Sequence, residues 1–256
     1  MVTAVTSFGD DVFVVRSRGQ QVEVYDVRTF TLQRHITVPG LGAGSGGLSA
    51  CAHYKCLYVS DSVNTSIHRA QLSGSSAMKK WSVARGPRGL SVNTAHNVVV
   101  ACRKADKIQE YTTHGALVRE ICLQQAGVTS PYHAIQLSTG HYVVSQCTSR
   151  GLVSVVGVDG QVARSYRPSR ASVVGQMRNP TSLAVTKNDD ILVADARNNR
   201  ILSMNSLLSS AQQLTLPVHD GIQLPRGLCL DESRGRLYVG EYVGSRRVLV
   251  FDGVRL

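Results

Sequence analysis

The chain has 256 residues, of which 43% are hydrophobic, and its 28 Lys+Arg against 17 Asp+Glu give a formal charge of +11. That is enough apolar material for one large core, which excludes disorder as the main state. No run of about 18 apolar residues occurs, and Val2 to Val15 alternates where a signal peptide would be continuously apolar, so neither a membrane span nor a cleaved leader is expected. The six cysteines (51, 56, 102, 122, 147 and 229) sit mostly in apolar, strand-like settings such as Leu228-Cys229-Leu230, where a free thiol packs as a small hydrophobe. Reduced thiols and a cytoplasmic location are expected.

In chain order, a first strand over Val2 to Ser7 is followed by the apolar triplet Val12-Phe13-Val14, and this triplet recurs as Leu57-Tyr58-Val59, Val98-Val99-Val100, Tyr142-Val143-Val144, Ile191-Leu192-Val193 and Leu237-Tyr238-Val239. Intervals of 41 to 49 residues separate the copies. Four units open with a proline-led strand, at Pro87, Pro131, Pro180 and Pro225, a position that needs no ladder donor. Eight residues beyond the triplet an aliphatic residue restarts a strand: Val22, Ile67, Ile108, Leu152 and Ile201, with Val248 one residue later in the sixth unit. Short alternating strands separated by Gly/Asn/Asp turns, with no helical period, predict an all-β chain. Six repeats of one four-stranded unit predict a six-bladed β-propeller spanning residues 1–256 as one domain, with blades of about 1–38, 48–83, 87–122, 131–166, 180–216 and 225–256. Because Val2 to Ser7 is consumed by the first blade, and few residues follow Val248 to Phe251, the last blade is expected to hold three good strands and an open outer edge. Phe8, Val14, Leu228 and Val239 are the candidates for closing it against the first.

The segment Ile191 to Ile201, with Asp195 and Asn198, resembles the core of the NHL repeat, and Leu57 to Ile67, with Asp61 and Asn64, is a second copy. Arg16, Cys102, Gln146 and Glu241 stand where the other units would carry the Asp. The resemblance implies hydrogen bonding between blades for Asp61, Asp195 and Arg200. It also implies the binding roles of propellers at the C-termini of tripartite-motif (TRIM-NHL) proteins, which take RNA or protein. Related six-bladed propellers include metal-dependent hydrolases and lyases, so the fold by itself does not choose.

Numbering the strands of each blade a to d from the channel outward puts the d-to-a and b-to-c loops on one face and the a-to-b and c-to-d loops on the other. The first face then collects Arg16, Arg18, Arg85, Arg88, Arg103, Lys104, Lys107, Arg150, Arg167, Arg170, Arg178, Arg197, Arg200, Arg226, Arg246 and Arg247, against Asp61, Asp106, Asp195, Asp220 and Glu241. The second face is acidic, although it includes Arg234 and Arg236. A single-sign surface dominated by arginine suits a polyanion whose phosphates accept bidentate contacts. Tyr132, His133 and Tyr242 lie among the same loops and are expected to stack unpaired bases.

Other chemistry is thinly represented. Gly42 to Gly47 contains a formal dinucleotide fingerprint, but no helix follows it, and it is expected to be a flexible loop between blades. His53, His96 and His141 fall in a-to-b turns of consecutive blades, where turn histidines are ordinarily solvated, so no metal and no cofactor is expected. The expectation is an RNA-binding module for single-stranded or stem-loop RNA in post-transcriptional regulation. It has no catalysis of its own, no small-molecule substrate and no membrane partner, any catalysis belonging to a preceding ubiquitin-ligase region. The alternatives are docking of an acidic protein on the same face and a metal-dependent hydrolase-like site.

Overall fold

The computed structural model describes residues 1–17, 19–43, 46–73, 78–148, 151–168, 174–217, 221–243 and 247–254. Six antiparallel sheets follow one another along the chain, each ordered as its strands occur. The first is β1 (Val2–Phe8), β2 (Asp11–Arg16), β3 (Gln21–Asp26) and β4 (Leu32–Thr37). The second holds β5 (Leu48–Cys51), β6 (Cys56–Asp61), β7 (Ser66–Gln71) and β8 (Met78–Ser82), and the third β9 (Pro87–Val92), β10 (Val98–Cys102), β11 (Lys107–Tyr111) and β12 (Leu117–Cys122). Blade four comprises β13 (Pro131–Gln136), β14 (Tyr142–Gln146), β15 (Leu152–Val156) and β16 (Val162–Ser165). Blade five comprises β17 (Pro180–Val185), β18 (Ile191–Asp195), β19 (Arg200–Met204) and β20 (Ala211–Gln213). Blade six, among the described residues, has β21 (Pro225–Asp231), β22 (Arg236–Glu241) and β23 (Val248–Asp252) alone.

The apolar triplets are the b strands, and they are apolar without interruption because each is covered on both faces by a neighbouring blade: every residue of β10, β14 and β18 is buried. The a strands pack on one another around the channel in the order β1, β5, β9, β13, β17 and β21, and β21 returns onto β1 to close the ring. Such close approach needs side chains removed. A Cβ on Gly89 would lie 2.5 Å from the His133 ring, so any larger residue there would push adjacent inner strands apart.

The seam between blades six and one is built on Tyr238, with Val2, Val5, Val12, Val14 and Val27 around it. Of the four residues expected to close the ring, only Val14 belongs to it. Phe8 packs in the blade one–blade two core, and Leu228 and Val239 in the blade five–blade six core. The correction is one of parity, since successive side chains on a strand point to opposite faces: on β22, Tyr238 faces blade one while Leu237 and Val239 face blade five. Two side chains clasp the seam as well, Arg236 Nη1 donating to the Val27 carbonyl at 2.7 Å and Arg234 Nη2 to Asp10 at 3.2 Å. Met1 belongs to blade one, where its carbonyl accepts from the Ser17 N–H.

Candidate nucleic-acid interface

One device recurs where the chain enters blades two to six. The last residue of strand b accepts a hydrogen bond from a backbone N–H of the loop leading into strand a of the same blade. Asp61 accepts from Gly42 (2.9 Å), Gln146 from Thr129 (3.1 Å), Asp195 from Arg178 (2.7 Å) and Glu241 from Gln223 (2.8 Å). In blade three, where Cys102 occupies that place, Gln109 of strand c accepts from Ala84 instead (2.7 Å). Units that depart from the Asp pattern in sequence therefore keep its acceptor. Burial pushes the Asp61 carboxyl up, but the N–H donors of Asn64, Gly42 and Val63 outweigh it and leave the group below its ordinary value. Gly42, Gly46 and Gly47 all donate to Ser60 or Asp61, so the described ends of the glycine-rich loop are pinned where sequence suggested flexibility.

Asp195 is fully buried and also takes Asn198 Nδ2 (2.7 Å) and Arg200 Nε (2.9 Å). Asp195→Ala strands three donors and is expected to cost about 3–5 kcal/mol, as loss of one partner from a buried ion pair does. Gln146→Leu strands the Thr129 N–H and should cost only about 1–3 kcal/mol. Urea denaturation of the two variants measures the difference.

These anchored loops make the basic face. Gly86 (φ +71°) lets the d-to-a loop of blade three lie against its b-to-c loop, Arg103 N–H donating to the Gly86 carbonyl at 2.8 Å and Lys104 N–H to that of Arg85 at 3.2 Å. A Cβ at Gly86 would stand 2.8 Å from Lys104 Cγ. The result is an open groove of about 890 Å3 spanning blades two to four, lined by Ser62, Gly86, Arg88, Arg103, Lys104 and Ser130 among others. Asp106 also borders it, but its carboxylate already accepts from the Ser130 N–H at 2.7 Å.

Several expected site residues are committed elsewhere. Arg16 pairs with Glu23 (2.7 Å) and Arg247 with Glu241 (2.9 Å), while Lys107 pairs with Glu120 (2.6 Å). Arg197 Nε donates to Asn179 at 3.0 Å with that amide turned to satisfy its neighbours. Arg18, Arg150 and Arg246 lie outside the described residues. Among the described residues no ion pair engages Arg85, Arg88, Arg103, Lys104, Arg178 or Arg226. Arg226 instead stacks over Tyr242, its guanidinium carbon 3.7 Å from the ring centre.

Tyr132 and His133 are corrected as stacking residues: both are buried on the channel-lining strand β13, where neither ring presents a face to a base. His133 instead ties three blades together. Its Nδ1 accepts from the Leu183 N–H at 2.9 Å, which puts the proton on Nε2 to donate to the Leu90 carbonyl at 3.0 Å. Burial pushes its pKa down to about 4. The surrounding channel is narrow, with a cavity of about 210 Å3.

On the opposite face, His53 and His96 meet as parallel rings 4.1 Å apart. Stacking directs their in-plane lone pairs side by side instead of at one point, so the pair is not a chelating site. All six cysteines are unpaired. No helix among the described residues is long and apolar enough to cross a membrane.

Residues 177–202, in blade five, match the NHL repeat. The chain is a six-bladed β-propeller whose fifth blade carries that repeat. No curated protein matches it. Among solved structures it is similar to Kuenenia stuttgartiensis hydrazine synthase (14% identity, TM-score 0.71, 98% of this chain and 95% of that one). It is similar also to virginiamycin B lyase from Staphylococcus aureus (10%, TM-score 0.67, 98% and 84%) and to a chain of the nidogen/laminin complex (16%, TM-score 0.73, 94% and 88%). At these identities the likeness is one of fold. It nonetheless corrects the expectation of a chain without catalysis, since a lyase and a synthase are built on this architecture.

Proposed function

We propose that this propeller binds single-stranded or stem-loop RNA on its basic face, in the cytoplasm, as the tripartite-motif propellers it resembles imply. The observation that carries the reading is the groove at Arg88, Arg103 and Lys104, three cations on β9 and an anchored loop with no ion pair among the described residues. Arg88 and Arg103 supply planar forks for phosphate oxygens and Lys104 a point charge. The Arg226–Tyr242 stack marks a second contact, at blade six. Preorganised loops spare the bound state part of the ordering cost.

RNA affinity is expected to fall with salt at a log–log slope of about −0.7 per phosphate engaged. Arg88→Glu with Arg103→Glu should weaken binding at least about tenfold and flatten that slope. Arg28→Glu with Lys187→Glu, an equal charge change on exposed residues of the opposite face, should leave it nearly unchanged. Arg234 and Arg236 are unsuitable controls because they clasp the ring seam. Equal losses from both double variants would reduce the interaction to a response to net charge. A second reading, docking of an acidic protein on the same face, is favoured by the fold likeness to a chain of the nidogen/laminin complex. Failure of every RNA pool to enrich on the propeller selects it.

A further inference from the structure

Blade six is measured by its five sisters. In each complete blade, strand d places a bulky apolar side chain opposite the first inward residue of strand c: Ile36 opposite Val22, Trp81 opposite Ile67 and Ile121 opposite Ile108. Tyr166 and Leu214 do the same in blades four and five, their N–H groups donating to the carbonyls of Val153 and Ile201 at 2.9 Å. Two residues earlier on strand d comes a basic residue in four of the five, Arg34, Lys79, Arg119 and Arg164, with Gln212 in the fifth. In blade six the residue equivalent to Val22 is Val248, paired with Gly240 on strand b, and no described strand lies beyond it.

The consequence is visible in exposure. Val22, Ile67, Ile108, Val153 and Ile201 are all buried, whereas Val248, Leu249 and Val250 are each only half-buried. A mainly apolar groove of about 290 Å3 runs along Val248 and Val250, lined also by Val12, Val14, Tyr25, Phe30, Tyr238 and the Glu23-paired Arg16. Its floor is continuous with the blade six–blade one seam, since Val12, Val14 and Tyr238 belong to both. The edge is equipped for backbone pairing. The Arg247 carbonyl accepts from the Glu241 N–H inside the sheet, so by strand alternation Val248 and Val250 direct their own N–H and C=O groups outward. Asp252, its side chain 66% exposed and one carboxylate oxygen paired with Arg236, sits two residues beyond Val250 on the same edge, diagonal to where a sister strand carries its basic residue.

We propose that β23 is a docking edge for an extended segment of a partner polypeptide, which adds in trans as the fourth strand of blade six. Its recognised pattern is a basic residue, any residue, then a bulky apolar residue, the last seated opposite Val248. Main-chain hydrogen bonds to Val248 and Val250 provide affinity, and the apolar groove with Asp252 provides selectivity.

The chain's own outer strand supplies the probe: a fluorescein-labelled octapeptide with the sequence of residues 31–38, which carries Arg34 and Ile36 in the required spacing. Anisotropy titration should show saturable binding, with protection of the Val248 and Val250 amides from hydrogen exchange. The same peptide with Ile36→Asp should bind at least about tenfold more weakly. Val250→Pro removes one outward N–H without a ladder bond to β22 and should abolish binding. Should that variant fail to fold, Val248→Lys in the groove should weaken binding comparably. The proposal is overturned if the peptide fails to bind or leaves the Val248 and Val250 amides unprotected at saturation. It is equally overturned if those amides are already protected without peptide, meaning the chain covers its own edge. A concentration-dependent dimer that disappears in Val250→Pro would assign the edge to a second copy instead.

Discussion

Tyr238→Ala is expected to lower stability by about 3–5 kcal/mol, a large part of the 5–15 kcal/mol that a domain ordinarily has. The side chain is fully buried at the centre of the seam, and its truncation leaves a cavity between Val2, Val5, Val12 and Val14. Neighbouring blades elsewhere in the ring are also joined by the chain itself, whereas blades six and one meet through noncovalent contacts between two sheets. Tyr238→Phe should cost under about 1 kcal/mol, because the buried hydroxyl makes no well-aligned hydrogen bond among the described residues and meets Arg236 only at poor geometry. Denaturant midpoints distinguish the two. An alanine variant as stable as the wild type would mean that the seam is held by its arginine clasps instead.

The second large effect is acid sensitivity centred on His133. Its folded pKa of about 4 lies below the ordinary value near 6.5, so the folded state resists the proton. Protonation would place a hydrogen on Nδ1 against the Leu183 N–H that this atom now accepts. The stability contributed is complete above pH about 6.5 and is lost as pH falls towards 4, in total about 3 kcal/mol. Glu110, held low by Asn97, Tyr142 and Asn93 despite burial, loses its contribution in acid as well. His133→Ala isolates the histidine. It should be less stable at pH 7.5 by about 2–5 kcal/mol, because the Leu183 N–H and Leu90 carbonyl lose their partner, yet lose less further stability between pH 6.5 and 4.5 than the wild type does. Parallel pH profiles for the two proteins would refute this account.

The blades were legible in the sequence because a strand buried on both faces must be apolar throughout, and six such triplets at a near-constant spacing leave few other architectures. That blade six shows three strands among the described residues was legible by counting. Which neighbour a side chain faces was not: alternation sorts residues into two sets without saying which set meets which blade, and Phe8, Leu228 and Val239 fell on the wrong side. Nor does residue type disclose a shared task when Asp, Gln and Glu reach the same N–H from differing backbones, as Asp195, Gln146 and Glu241 do. Burial of His133 was hidden because a polar residue on an inner strand looks like a ligand until its partners on β9 and β17 are seen. The Arg16–Glu23 pair was more accessible, since both residues lie on one hairpin whose register sets Val14 opposite Glu23.

The seam has a mechanical consequence. Within each blade, tension is borne by ladders of backbone hydrogen bonds, whereas a pull applied between β1 and β23 crosses from one sheet to another and meets, among the described residues, side-chain packing, the Ser7–Cys229 contact and two arginine clasps. Under load the ring would part at that line before any blade unravelled, yielding an opened arc of intact sheets.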